Sequence, residues 1–122
     1  MTAISGVGVD AVDVPRFAAA LGRRPAIASR LFTDGEQRDG HGDAQRLAAR
    51  FAAKEATMKA LGGGIGSFAW RDVEVVRLES GEPTLRLSAT AASLAASRRV
   101  AHWHVSLTHT ATVAIAMVVA ES

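Results

Sequence analysis

The order of the predicted elements indicates an α+β fold: one strand, then several helices, then mostly strands. Two patterns support this class. Apolar residues recur at helical spacing over residues 43–61, and two strand-like runs, residues 102–108 and 113–120, are joined by a short turn. We therefore predict a single small α+β domain in which a mostly antiparallel sheet packs on one long helix and several short helices.

The first segment, residues 4–14, mixes β-branched residues with glycine and aspartate, which indicates a strand. Its run Gly6–Ala11 fits the spacing G-x-G-x-x-A of dinucleotide-binding loops, but the strand–helix–strand unit that this loop requires does not follow. The favoured interpretation is that Gly6 and Gly8 let another element approach closely. An acid in such a strand, Asp10, is then suited to bind a hard cation.

Helix signals fill the stretch that follows. Prolines occupy early positions of the first two helices, a capping box opens the third, and Asp43 and Gly62 delimit the fourth and longest. The predicted helices cover residues 15–22, 25–31, 33–40 and 43–61. A glycine-rich loop, residues 62–67, leads to strands 73–78 and 84–87, an alanine-rich helix 88–97, and strands 102–108 and 113–120.

Composition narrows the class of protein. The 122 residues are 48% hydrophobic and 21% charged, which suits one globular domain over residues 1–122. No cysteine is present, so disulfides, thiolate zinc sites and a cysteine nucleophile are excluded. The start lacks a signal-peptide pattern and no run of about 18 apolar residues occurs, so we expect a cytoplasmic protein without a membrane partner. A net charge of +2 does not indicate a nucleic-acid binder.

The long helix carries the most informative side chains. Lys54 falls within its apolar stripe, where a lysine must pair, bind a ligand or extend to the surface. Glu55 and Lys59 share an adjoining face at the spacing of a simple surface ion pair. The only two lysines among 14 basic residues flank Glu55, which favours a role that needs a compact charge. The residues of the stripe are Leu47, Phe51, Met58 and Leu61.

Two polar regions have alternative interpretations. His102 and His104 share a strand face, with His109 at the strand end; a three-histidine zinc site is conceivable, but solvent-facing alternation is favoured. The hydroxyl-rich run 106–110 is suited to holding phosphate. Residues 14–33 contain four arginines and no acid, which indicates a solvated basic face or a docking surface for an acidic partner.

Three motifs resemble those of the holo-[acyl-carrier-protein] synthase family, in its order and spacing. The first is Gly6-Val7-Gly8-Val9-Asp10 with Arg16 downstream. The second is Phe32-Thr33 with Glu36, then Arg50-Phe51-Ala52-Ala53-Lys54-Glu55-Ala56 and Lys59-Ala60-Leu61-Gly62. The third is Trp103-His104-Val105-Ser106-Leu107-Thr108-His109. The resemblance spans residues 6–119 and fits the short, single-domain group.

The resemblance implies a 4'-phosphopantetheinyl transferase. Such an enzyme moves the phosphopantetheine arm of coenzyme A to a serine of apo acyl carrier protein, depends on Mg²⁺ and releases 3',5'-ADP. It also implies an α+β fold and a homotrimer with active sites between subunits. The alternatives are a non-catalytic oligomeric protein that binds an acidic partner and a metal-dependent phosphohydrolase that uses the same acids.

Residue roles follow from the resemblance. Asp10 and Glu55 match the magnesium ligands, and the catalytic set is Glu55, Lys59 and His109. The serine proton goes to Glu55, Lys59 or a metal-bound water, and the choice stays open. Residues matched to coenzyme A binding are Arg50, Lys54, Lys59, Gly62, Ser106 and His109, and those matched to carrier docking are Arg16, Arg23 and Arg24. Asp13 and His41 are interpreted as solvent-exposed.

Overall fold

A three-stranded antiparallel sheet packs against one long helix in the computed structural model, which describes residues 2–122. A separate two-stranded hairpin completes the β structure. The strands are β1 (Ile4–Asp13), β2 (Val73–Arg77), β3 (Pro83–Leu87), β4 (His102–His109) and β5 (Val113–Glu121). The helices are α1 (Val14–Arg23), α2 (Ala26–Leu31), α3 (Asp34–Gly40), α4 (Ala44–Ala60) and α5 (Ala89–Ser97), with a 3₁₀ turn at Trp70–Asp72.

The predicted class and element order are confirmed, with one correction to the sheet. The sequence predicts one mostly antiparallel sheet, whereas the five strands form two sheets, ordered β1-β5-β4 and β2-β3. Helix α5 separates the hairpin from the last two strands in the chain. Because β5 is central, β1 and β4 are both edge strands of the larger sheet.

The register of the larger sheet decides which side chains meet α4. Across the three strands, Asp10 of β1, Ala116 of β5 and Leu107 of β4 form one row of paired residues. Two residues along each strand, Val12, Ala114 and His109 form another row. Because side chains alternate between the faces of a sheet, these rows share the inner face, toward α4. Residues between them point to the opposite face.

Two glycines let β1 lie directly on the backbone of α4. A Cβ placed on Gly8 would stand 1.8 Å from the carbonyl oxygen of Ala56, and one on Gly6 would stand 1.9 Å from that of Ala60. Such distances are far inside van der Waals contact, so only glycine fits at either position. The predicted close approach is confirmed, and it fixes Asp10 against the helix.

The core forms around the small residues of α4. Ala52, Ala53 and Ala56 are fully buried, and this lack of bulk allows the helix to sit close to the sheet. Of the predicted stripe, Leu47, Met58 and Leu61 are buried, whereas Phe51 is partly exposed and packs between two rings. Its ring centroid lies 5.5 Å from that of Phe17 and 5.0 Å from that of Trp70.

The opposite side of the sheet, which we call the outer sheet face, is apolar and uncovered. Val7, Val9 and Met117 on this face are 52%, 55% and 50% exposed, which is unusual for side chains of their size. On β5, Ile115 and Val119 lie two residues to either side of Met117 on the same face, and Val119 pairs with Val7. The strand β4 borders the patch with exposed polar residues, namely His102, His104, Ser106 and Thr108.

Asp13 and His41, both interpreted from the sequence as solvent-exposed, are exposed and also lie at helix ends. Asp13 is exposed and also caps α1, because its carboxylate accepts a hydrogen bond from the Arg16 amide at 3.0 Å. His41 is exposed and ends α3 in the left-handed region, with φ of 51°. Asp43 caps α4 as predicted. Within residues 2–122, no helix has the length and apolar character needed to cross a bilayer.

Candidate active site

Asp10 brings a partly unsatisfied carboxylate to the inner face of the sheet. Its Oδ1 atom accepts a hydrogen bond from Lys59 Nζ at 3.1 Å, and its Oδ2 atom is buried without a hydrogen-bond partner among the described residues. Lys59 Nζ also donates to the Val9 carbonyl at 2.9 Å. A buried carboxylate oxygen without a donor is costly, and a cation would satisfy it.

Glu55 lies beside this carboxylate on α4. Burial raises the pKa of Glu55, the negative charge of Asp10 raises it further, and Lys59 opposes the shift. A hydrogen bond between the two side chains adds to the increase, so a shared proton or a cation would stabilise this pair of neighbouring acids. We call Asp10, Glu55 and Lys59 the carboxylate site.

The donor set of the carboxylate site fits Mg²⁺. Among residues 2–122, no group of three or more histidine, aspartate or glutamate side chains gathers at one point, so the protein offers two carboxylates there. Mg²⁺ is commonly held by one or two carboxylates together with waters and substrate phosphates. The residues present thus match a magnesium ion that shares a phosphorylated ligand.

A cavity of about 450 Å³ opens next to Glu55. Aromatic rings of Phe17 and Phe51 form one side, and the backbone strand β1 forms another. Arg16 from α1 also lines it, which brings one of the predicted docking residues to the carboxylate site. The other two, Arg23 and Arg24, are exposed at the end of α1.

A second cavity of about 300 Å³ collects positive charge on the other side of α4. Arg46, Arg50, Arg77 and His109 line it, and we call these four residues the arginine pocket. Asp43 also lines the cavity, with its carboxylate 3.9 Å from Arg46 Nε, so basic groups outnumber the acid. Arg50 is 4% exposed; its Nη1 atom donates to the Arg46 carbonyl at 3.2 Å, and its buried Nε atom has no partner among the described residues.

Electrostatics in the arginine pocket favour an anion. Burial lowers the pKa of Arg50; Asp39 and Glu36 oppose that shift, while Arg77 and Arg46 add to it. An anion in the cavity would contact the part of Arg50 that lines it and relieve the repulsion between guanidinium groups. Arginine is well matched to phosphate because its planar fork makes two parallel hydrogen bonds.

Lys54 does not belong to either cavity. Its side chain is fully buried, and its ammonium donates to Glu36 Oε1 at 2.7 Å, to the Trp70 carbonyl at 3.1 Å and to the Val73 carbonyl. All three N–H donors of the lysine are therefore used inside the protein. The prediction that Lys54 binds coenzyme A is wrong, because no ligand can reach this enclosed group.

The remaining predicted ligands are dispersed. Gly62 ends α4 with φ of 72° and lies against the Arg98 guanidinium. The Ser106 side chain is on the outer sheet face, opposite Met117 in the register, whereas His109 lies on the inner face. Within one chain, therefore, Ser106 and His109 do not face the same space, and the role of Ser106 stays a prediction for a site between subunits.

Sequence reasoning assigned no role to three residues that the structure places in these charged groups. Arg46 and Arg77 complete the arginine pocket, but nothing in their spacing distinguishes them from ordinary surface arginines. Glu36 is the buried partner of Lys54. A signal for that pair was present, because a lysine inside an apolar stripe requires a counter-ion and Glu36 is an acid in a capping box.

The fold places two cavities along α4, one beside the paired acids Asp10 and Glu55 and one lined by several arginines. The comparisons identify the class of protein. A family model described as the 4'-phosphopantetheinyl transferase superfamily matches residues 6–118. The holo-[acyl-carrier-protein] synthase of Frankia alni is 57% identical, over 98% of this chain and 99% of its own length.

Solved structures agree with this match. The Helicobacter pylori holo-[acyl-carrier-protein] synthase in complex with coenzyme A superposes with a TM-score of 0.85 at 27% identity, covering 93% of this chain and 98% of that one. The Bacillus anthracis synthase in complex with CoA (3',5'-ADP) gives 0.80 at 32% identity, covering 98% and 97%. The chain therefore belongs to the 4'-phosphopantetheinyl transferase superfamily, within its holo-[acyl-carrier-protein] synthases.

Proposed function

We propose that this enzyme transfers the 4'-phosphopantetheine group of coenzyme A to a serine of apo acyl carrier protein in the cytoplasm, with Mg²⁺ at Asp10 and Glu55, and releases 3',5'-ADP. The observation that carries the proposal is the buried, unpartnered Asp10 Oδ2 next to Glu55. The reaction is inferred from the family, and the carboxylate site is proposed as the place where it occurs.

The residues of the carboxylate site divide the work. Asp10 and Glu55 would hold Mg²⁺, which when bound neutralises negative charge on the pyrophosphate of coenzyme A. The exposed ammonium of Lys59, next to Asp10, is suited to donate to a phosphate oxygen. Of the residues of this chain at the site, Glu55 can accept the serine proton as a carboxylate, and Lys59 can accept it only in its neutral amine form, in which it would not act as the ammonium donor. The serine oxygen forms the new bond to the β-phosphorus, and the bond to the bridging oxygen of 3',5'-ADP breaks.

The arginine pocket suits another phosphate of the same donor. Coenzyme A carries a 3'-phosphate in addition to its pyrophosphate, and the pyrophosphate is assigned to the carboxylate site. We therefore assign the 3'-phosphate to Arg46, Arg50, Arg77 and His109. Dephospho-coenzyme A, which lacks only that phosphate, is the matched ligand for testing this assignment.

The two charged sites support an assembly with shared active sites. The carboxylate site is on the β1 side of α4, and the arginine pocket is on the β4 side, with β5 between the two edge strands. A head-to-tail ring would bring the β1 edge of one copy to the β4 edge of the next. We propose a homotrimer of this kind, in which the apolar outer sheet face is covered.

Carrier docking belongs on α1. Arg16 lines the cavity beside Glu55, and Arg23 and Arg24 extend the positive surface along the same helix. An acidic carrier would be steered to this surface and held with its serine near the carboxylate site. Charge complementarity of this kind sets encounter rate and register more than affinity.

The test is a mass measurement on the carrier. Incubation of the enzyme with coenzyme A, Mg²⁺ and an apo acyl carrier protein should add one phosphopantetheine group to the carrier and yield 3',5'-ADP. The Asp10→Asn variant, which keeps the side-chain size, is the matched control and should abolish most of the gain. Release of inorganic phosphate without carrier modification would instead support a phosphohydrolase, and binding of the carrier without any product would support a non-catalytic binding protein.

A further inference from the structure

The buried ion pair of Glu36 and Lys54 ties together several segments. Glu36 Oε1 accepts from Lys54 Nζ at 2.7 Å and from the Thr33 amide at 3.0 Å, while Glu36 Oε2 accepts from the Val75 amide at 2.9 Å. Lys54 Nζ reaches the carbonyls of Trp70 and Val73 as well. Both side chains have no exposed surface. One carboxylate and one ammonium thus join α3, α4 and β2.

Two of these segments are walls of the arginine pocket. Arg50 lies on α4 one helical turn before Lys54, and Arg77 lies on β2 two residues after Val75. Val75 and Arg77 are two residues apart in the same short strand, so the backbone that Glu36 holds at the Val75 amide continues directly to the residue that carries the Arg77 side chain. The ion pair therefore connects the backbone that carries Arg50 to the backbone that carries Arg77.

The charge of this connection matters. The pocket places Arg77 of β2 near Arg46 and Arg50 of α4, and the repulsion between them opposes the approach of the two walls, with Asp43 offsetting part of it. A single buried acid would hold the walls but would cancel part of the positive potential that attracts phosphate. Glu36 and Lys54 together have no net charge, so the pair holds the walls and reduces the positive potential less than a lone acid would, although Glu36 itself acts on Arg50.

We infer that Glu36 and Lys54 are positioning residues which fix Arg77 relative to Arg50 and thereby set the affinity of the arginine pocket for a phosphate. The inference rests on the proposed function for the identity of the ligand, the 3'-phosphate of coenzyme A. Neither residue touches that ligand, since both are enclosed in the protein.

The experiment compares binding of coenzyme A and dephospho-coenzyme A by calorimetry. Lys54→Met removes the three donors at nearly constant volume. We expect the affinity for coenzyme A to fall about tenfold, as for one displaced charge-assisted hydrogen bond, with little change for dephospho-coenzyme A. Glu36→Gln, which keeps an acceptor for the Val75 amide, should give the same selective loss and serves if Lys54→Met does not fold.

Asp34→Asn is the matched control. It removes an exposed salt bridge, Asp34 to Arg71 at 3.9 Å, which also links α3 to the Trp70–Asp72 turn, and should leave both affinities unchanged. If a folded Lys54→Met or Glu36→Gln variant keeps the preference of the parent for coenzyme A, or weakens both ligands equally, the positioning role is wrong. A parent that binds both ligands equally would overturn the 3'-phosphate assignment itself, so the two failures are distinguishable.

Discussion

The two lysines of the chain lie five residues apart on α4 and occupy opposite environments. The Lys54 side chain has no exposed surface, and its ammonium donates all its hydrogen bonds to oxygens inside the protein. The Lys59 side chain is 56% exposed and donates to Asp10 Oδ1. The same residue type therefore holds the scaffold at one position and borders the candidate active site at the other. Burial, rather than residue type, separates the two roles.

The largest expected effect concerns the close contact of Gly8 in β1 with the Ala56 carbonyl in α4, which holds Asp10 beside Lys59. Gly8→Ala would place a methyl group 1.8 Å from the Ala56 carbonyl, so β1 must move off α4. We expect a loss of more than about 4 kcal/mol in unfolding free energy, or failure to fold, because backbone cannot yield as a side chain does. Denaturant titration with circular dichroism measures it. Gly22→Ala, which meets nothing within 4 Å, is the control and should fold normally.

Removing the buried lysine should cost stability next. Lys54→Met leaves Glu36 as an unpaired buried charge, and breaking such a pair costs about 3–5 kcal/mol. Urea unfolding of the parent and the variant gives the value. A variant as stable as its parent would show that burying Glu36 does not require Lys54 as a counter-ion. The two lysines would then not differ in their contribution to stability.

Removing the exposed lysine should affect turnover much more than stability. Lys59→Met removes the donor to Asp10, whose side chain is 12% exposed, so we expect the unfolding free energy to fall by about 1–2 kcal/mol, less than for Lys54→Met. Loss of a charge beside the phosphates should lower kcat about 100-fold. Carrier modification rates, compared with the same urea titration, separate the two effects. Equal turnover in variant and parent would remove Lys59 from the catalytic set.

Glu55 provides a smaller and pH-dependent effect. Burial and the charge of Asp10 raise the pKa of Glu55 above its ordinary value of 4.5, so the folded state prefers the protonated acid. In the absence of metal, ionised Glu55 therefore lowers stability at neutral pH. Glu55→Gln should raise the melting temperature at pH 7, and the gain should shrink as pH falls through the raised pKa and vanish below 4.5. A gain that is constant with pH would contradict this origin.

The sequence predicts the parts of the fold and of the site that depend on residues close together in the chain, and not those that depend on residues far apart. Period and capping signals predict α4 with Asp43 at its start, and glycine spacing predicts the close approach of β1. The sequence also requires a role for Lys54 but cannot choose between a ligand and a buried partner. Glu36 is 18 residues away, and only the packing of α3 on α4 brings it there.

The arginine pocket shows the limit more clearly. Arg46 and Arg77 look like surface arginines in the sequence, and both are exposed in the structure. They become a site because β2 returns beside the first half of α4, a contact between segments some 30 residues apart along the chain. Local periodicity contains no information on such a pairing, and family motifs mark only Arg50 and His109 of the four.

The central claim is that Asp10 and Glu55 form one divalent-cation site. Binding of Mn²⁺, a paramagnetic substitute for Mg²⁺, can be followed by electron paramagnetic resonance in the absence of substrates. We predict one saturable ion per chain in the parent, and its loss in both Asp10→Asn and Glu55→Gln, with Asp13→Asn, a neighbouring exposed acid, binding like the parent. Undiminished Mn²⁺ binding by folded Asp10→Asn or Glu55→Gln protein would contradict the claim directly.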